Sequence, residues 1–233
     1  VATVTTRKDG KAVVSGLPVG KYKVTEVKAP DGFVVSGSAI DVELSYKDGK
    51  TATVYGKAEF TNKRVKTELL VIKKDKITKH PVAGAVYGVY TKDGITAASG
   101  SAVVTAGSLV CSAVTNTSGS AVFGTDFPLG KYYVKEIKAP AGYIADKTVY
   151  DVDFTFKGQE MAVARKEIAV EETPLIVEIS KTDFTTGKEL AGAKLEITGS
   201  SGKVYASWVT DGKPHRLHAM PAGEYILRVT FPP

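Results

Sequence analysis

Cysteine, tryptophan and histidine are nearly absent: the 233 residues hold one Cys, one Trp and three His. The single thiol, Cys111, excludes an internal disulfide framework. Its place in Leu109-Val110-Cys111 reads as a buried small hydrophobe, because a reactive thiol wants cationic neighbours and none is near in sequence. No apolar run approaches the ~18 residues a membrane helix needs, so no membrane span is expected. No signal peptide or cleavage site is present, and the abrupt start on the strand-like run Val1–Thr6 reads as a piece of something longer. The net charge of +6 raises the question of nucleic acid, but 31 Lys and Arg are interleaved with 25 acidic residues. With no basic run and no aromatic-rich RNA motif, nucleic acid is not an expected partner; weak attraction to anionic polymers is what the charge allows. The nucleophile elbow, the phosphate loop and the dinucleotide fingerprint are all missing, and no cofactor is expected. His215 and His218 have no Cys or carboxylate at ligand spacing, so they read as a solvated strand and not as a metal site. Asp151 and Asp153 share a strand face without calcium-loop spacing. Trp208 reads as core.

What the chain does have is repetition. Gly20–Phe33 (GKYKVTEVKAPDGF) recurs as Gly130–Tyr143 (GKYYVKEIKAPAGY), with Glu136 standing 110 residues after Glu26. Gly223–Val229 (GEYILRV) is a weaker third copy. Leu69–Asp75 (LLVIKKD), followed by Ala83-Gly84-Ala85, matches Val177–Asp183 (VEISKTD), followed by Ala191-Gly192-Ala193, with Lys181 standing 108 residues after Lys73. Two independent motifs with nearly one period define a unit of about 110 residues. The expected domains are residues 1–64, a copy lacking its first strands; 65–174, a complete copy; and 175–233, a copy lacking its last strands. Short runs of Val, Thr, Tyr and Phe alternate with polar residues and are punctuated by Asp-Gly and Ser-Gly turns, which predicts all-β sandwiches in tandem. Residues 94–118, rich in Gly, Ala, Ser and Thr, are an insertion relative to the third copy and read as a surface loop or extra hairpin.

Strand side chains alternate faces with period two. Glu26 therefore lies on the apolar side with Tyr22 and Val24, and Glu136 with Tyr132 and Val134. Lys73 aligns with Leu69 and Val71, Lys181 with Val177 and Ile179, and Asn62 with Ala58 and Phe60. An unpaired buried charge is costly, so such groups must pair, lose their charge or react. Two readings stand. One is a buried or strand-end ion pair. The other is chemical: desolvation favours the neutral amine and the protonated carboxyl, a neutral amine is a nucleophile, and a protonated Glu can polarise an amide carbonyl held in contact with it. The product is a Lys–Asn isopeptide bond between the first and last strands, formed once with loss of ammonia.

Lys-x-Asp, then Ala-Gly-Ala, then Gly-x-Tyr-x-x-x-Glu-x-x-Ala-Pro-x-Gly-[Phe/Tyr] resembles the prealbumin-like B-type repeat of Gram-positive collagen adhesins and SpaA-type pilins. The similarity runs over essentially the whole chain. It implies an immunoglobulin-like (prealbumin-like) sandwich, often cross-linked between a first-strand Lys and a last-strand Asn or Asp with a Glu promoting the bond. By that resemblance Glu26 and Glu136 are promoters, Lys73 and Lys181 donors, and Asn62 the acceptor of the first copy. The acceptor position of the middle copy falls at Glu171 or Glu172; strand parity, beside Ile168 and Val170, favours Glu172, a departure from the family's Asn or Asp. In the third copy Val229 stands where the Glu belongs, so that copy is not expected to cross-link alone.

The resemblance implies a structural stalk or shaft module on the surface or wall of a Gram-positive bacterium, not an enzyme beyond a single-turnover cross-link. Its partners are the neighbouring repeats of its own polypeptide. A module gripping host matrix protein or glycan is the alternative, and an accessory domain of a secreted enzyme a third reading. The incomplete end copies also allow two chains to complement each other by strand addition.

Overall fold

The computed structural model describes residues 2–46, 48–50, 53–96, 102–124 and 126–232, and no helix occurs among them. The chain divides into two compact units, residues 1–66 with 156–164 and residues 67–155 with 165–233.

The first unit holds β1 (Gly20–Thr25), β2 (Phe33–Val34), β3 (Ala39–Leu44) and β4 (Lys63–Arg64). β1 pairs antiparallel with β3, which sets Tyr22 opposite Val42, and β2 pairs with β4. Between β1 and β2 the Ala-Pro-Asp-Gly segment turns the chain. The Phe33 amide donates to the Pro30 carbonyl at 3.1 Å, and Gly32 takes a φ of 87°, a conformation that favours glycine. Gln159 grips this turn: its Oε1 accepts from the Ala29 amide and its Nε2 donates to the Ala29 carbonyl, both at 2.7 Å. Among the described residues of this unit only Ala29, Val65 and Ala164 are buried apolar side chains. Residues 2–6 are exposed and form no strand, against the expectation for that run, because an extended segment needs a neighbour to take its backbone hydrogen bonds.

In the second unit the middle copy is a two-sheet sandwich. Its strands are β5 (Lys66–Asp75), β6 (Val86–Thr91), β7 (Ile95–Thr96), β8 (Ala102–Val104), β9 (Leu109–Val114), β10 (Ser120–Val122), β11 (Gly130–Lys138), β12 (Tyr143–Ile144), β13 (Val149–Phe154) and β14 (Val163–Pro174). The sheets run β10-β5-β14-β12 and β13-β11-β6-β9. Leu69, Val71, Tyr87, Val89, Phe127, Tyr132, Val134 and Phe154 fill the core. Phe127 lies 5.4 Å from the Tyr132 ring and 5.9 Å from that of Phe154. The inserted segment forms the β7–β8 hairpin and leads into β9, although its residues 97–101 lie outside the described ones. Cys111 is half-buried rather than buried, because β9 is the edge strand of its sheet.

The third copy carries β15 (Ile176–Ile179), β16 (Ala191–Gly199), β17 (Val204–Asp211), β18 (His215–His218) and β19 (Tyr225–Phe231). β15 pairs with β18, and β16 sits between β17 and β19. Ile197, Leu217 and Met220 form its core, with Ile179, Ala206, Trp208 and Tyr225 packed against it. One hydrogen bond recurs in all three copies. Tyr22 donates to the Pro18 carbonyl at 2.6 Å, Tyr132 to Pro128 at 2.9 Å and Tyr225 to Pro221 at 3.1 Å, each pinning the strand to the loop before it in the manner of a tyrosine corner.

Candidate functional site

Along β5 every second side chain from Thr67 to Asp75 is buried, and this alternation carries Lys73 inward with Leu69 and Val71. Glu136 projects from β11 in the opposite sheet, and Glu172 from β14 beside β5. The Lys73 side chain is 0% exposed and those of Glu136 and Glu172 are each 1% exposed. Lys73 Nζ donates to Glu136 Oε1 at 2.9 Å and to the Tyr87 hydroxyl at 2.7 Å. It is also in direct contact with Glu172 Oε2. No other polar group of the described residues meets either Glu172 oxygen. Glu171, the other position open to the acceptor, points outward and pairs with Lys79 at 2.6 Å.

One amine therefore faces two carboxyl groups where water does not reach. With every group ionised the site would hold an uncompensated negative charge in low dielectric. Burial pushes the Lys73 amine down from its ordinary value of 10.5, against the upward pull of its hydrogen bond to Glu136. Burial, and then the charge of Glu136, holds the Tyr87 phenol far above its ordinary range, so Tyr87 stays a hydroxyl. Glu136 is itself fixed: its Oε2 accepts the Asp146 amide at 2.7 Å. Asp146 in turn accepts from the Tyr150 hydroxyl at 2.7 Å, and the Tyr150 phenol is pushed up to about 12 by burial and by that carboxylate. A desolvated amine, a positioned carboxyl and a second carboxyl in contact with the amine are groups that amide formation requires.

The first copy repeats half of this arrangement. Glu26 Oε2 accepts the Ser36 amide at 2.6 Å, as Glu136 accepts Asp146, and also accepts from Asn62 Nδ2 at 2.6 Å. Asn62 Nδ2 donates further to the Val34 carbonyl at 3.2 Å. Ala58, Phe60 and Asn62 alternate as half-buried positions, although no strand forms there. Glu26 and Asn62 are half-buried rather than core. The third copy departs from expectation. β15 ends at Ile179, so Lys181 lies beyond the strand and only half-buried, and Val177 is 38% exposed. The turn fixed by Asp183 bends the chain there, Glu189 Oε2 accepts the Lys181 amide at 3.3 Å, and Val229 on β19 is itself exposed.

Sequence reasoning missed several members of these sites. Tyr87, Asp146 and Tyr150 carry no motif of their own; only their neighbours across the sheet reveal them. The proline of Pro-x-Gly-x-Tyr was visible in all three copies and marks the carbonyl that the tyrosine grips. Of the two histidines, His215 is half-buried and stacks on Trp208 with ring centroids 4.3 Å apart, while His218 stays partly exposed and meets Asp75. Among the described residues no group of three or more His, Cys, Asp or Glu could hold a metal ion, and no helix is long and apolar enough to cross a membrane.

Known proteins resemble this chain to different degrees. The Bacillus anthracis TIE protein superposes with a TM-score of 0.59 at 27% identity, covering 97% of this chain and 39% of that one. A streptococcal ancillary pilin overlaps more loosely, with a TM-score of 0.36 at 19% identity, covering 93% of this chain and 68% of that one. The trypsin-resistant surface T6 protein of Streptococcus pyogenes serotype M6 is 34% identical over 80 residues, which are 34% of this chain and 12% of that protein. The chain thus spans a minor part of the surface protein and of the TIE protein it matches. The family model for the SpaA prealbumin-like fold domain matches residues 1–59, 67–167 and 176–231, and the chain belongs to that family.

Proposed function

We propose that the middle copy is locked by an amide between Lys73 and Glu172, and that the chain serves as a tension-bearing spacer built from three such copies, over residues 1–64, 65–174 and 175–233. As a SpaA-type chain it is a structural stalk module of the pilin and adhesin kind, in a family that is structural and not catalytic. The observation that carries the proposal is the Lys73 amine held at zero exposure between Glu136 and the otherwise unpartnered Glu172. The Lys73 nitrogen attacks Glu172 Cδ, the bond from Cδ to one carboxyl oxygen breaks, and that oxygen leaves as water with the two protons the amine gives up. Glu136, within reach of the same nitrogen, relays them. A neutral amide then replaces an ion pair whose desolvation its own attraction need not repay.

The first copy supplies Glu26 and Asn62 for the analogous bond, which loses ammonia; Lys181 stands at the donor position of the third copy. The likeness to a Streptococcus surface protein supports a place on the wall of a Gram-positive cell. Intact mass tests the bond. The purified chain is expected to weigh one water less than its sequence, with a cross-linked peptide joining the segments of Lys73 and Glu172, and Glu136→Ala restores the full mass. A wild-type chain at full mass leaves Lys73 and Glu172 a salt bridge and removes the cross-link.

A further inference from the structure

Asp75 closes β5 two residues beyond Lys73, and its side chain is 1% exposed. Its Oδ1 accepts the amides of Ile77 and Thr78, each at 2.8 Å, which forms the turn after the strand. Its Oδ2 accepts two donors from elsewhere: the Tyr143 hydroxyl at 3.0 Å and His218 Nε2 at 2.6 Å. Tyr143 belongs to the middle copy, whereas His218 ends β18 of the third. Ala219, next to His218 and at a φ of 52°, lays its backbone on Gly142, where a β-carbon would overlap the Ala219 carbonyl oxygen. The amide of Leu175, between β14 and β15, donates to the Gly142 carbonyl at 2.8 Å. A buried carboxylate, a bare glycine and the linker amide thus converge where the two copies meet.

Burial works to raise the Asp75 carboxyl, yet the hydrogen bonds from Thr78, His218, Ile77 and Tyr143 together hold it well below the usual carboxylate range. An ionised carboxylate only accepts, so His218 carries a proton on Nε2 whether or not the ring is charged. The third copy supplies an internal control. Asp183 makes the same turn, its Oδ1 accepting the amides of Thr185 at 3.0 Å and Thr186 at 2.7 Å, while its Oδ2 takes no hydrogen bond among the described residues. The turn therefore forms without a His or Tyr partner, and those two donors serve something other than the turn.

We infer that Asp75 is the seat on which the middle copy docks the copy that follows it, with His218 as the plug and Gly142 as the space it needs. The joint gives the stalk reading its stiffness between copies and is independent of the Lys73–Glu172 bond. Hydrogen–deuterium exchange on the full chain tests it. His218→Ala and Asp75→Asn should raise exchange at Leu175 and over 140–144 by about tenfold, the mark of local rather than global opening. β11 and β16 should keep their protection, His218→Gln should restore part of the lost protection through its amide donor, and Asp183→Asn should change nothing at the joint. Unchanged exchange in His218→Ala overturns the inference, as does loss spread evenly through β16, which makes His218 a support of its own copy only. Either result leaves the mass test of the cross-link standing.

Discussion

At the scale of single residues, Lys73 is the position with the most at stake. Removing one partner of a buried charge cluster leaves the others uncompensated, a cost of about 3–5 kcal/mol in comparable sites. Lys73→Met leaves Glu136 and Glu172 facing a thioether at about 1% exposure, and urea unfolding should show a loss of that size. Lys73→Met combined with Glu172→Leu should regain only part of it, since the proposed amide is still lost and Glu136 still faces no cation. The comparison separates the penalty of orphaning Glu172 from the rest of the loss. Alternation along β5 and β14 made Lys73 and Glu172 legible as inward residues before any coordinates, because strand side chains have a period of two. The contact of His218 with Asp75 was not legible: it spans 143 residues of sequence, and no local pattern encodes it.

At the scale of strands, the first and last of the middle copy lie side by side. Glu68 pairs with Arg165 near the start of both, and Lys73 meets Glu172 near the end of both, so β5 and β14 run in the same direction. Tension entering at the start of β5 and leaving at the end of β14 pulls the two past each other in shear. The proposed bond from Lys73 to Glu172 would carry that load and spare the strands between them. The tyrosine corner works on the neighbouring sheet by fixing where β11 begins. Tyr132→Phe removes one hydrogen bond to the Pro128 carbonyl and keeps the ring in the Phe127–Phe154 stack. It should cost about 0.5–1.5 kcal/mol in a denaturant titration, with little change in the slope.

Across the whole molecule, burial is uneven. The middle copy holds most of the fully buried side chains, whereas the first unit buries only Ala29, Val65 and Ala164 among its described apolar residues. Val4, Val13, Val19, Val24 and Val27 of that unit are exposed. Stability follows apolar area withdrawn from water, at roughly 25 cal/mol per Å². Protection of the amides in 20–44 from exchange should therefore be lost at lower denaturant than that in β5, β6 and β11, giving two transitions. A single transition shared by both units would show that the first unit draws its stability from elsewhere.

The sequence by itself determined the all-β class, the repeat of about 110 residues, the face on which each of Glu26, Asn62, Lys73, Glu136 and Glu172 lies, and the family resemblance. All of these follow from patterns that can be read along the chain: a period of two for a strand and one repeat for the copies. Only the tertiary structure decided which inward residues share a site. It placed Glu136 across the sandwich from Lys73, supplied Tyr87 from a strand and Asp146 from the loop before β13, neither marked by a motif, left Lys181 past the end of β15, and set His218 on Asp75. Side-chain direction is a local property of the backbone; which side chains meet depends on how the sheets and copies pack, and packing is fixed by the sum of many weak contacts that no short stretch of sequence contains.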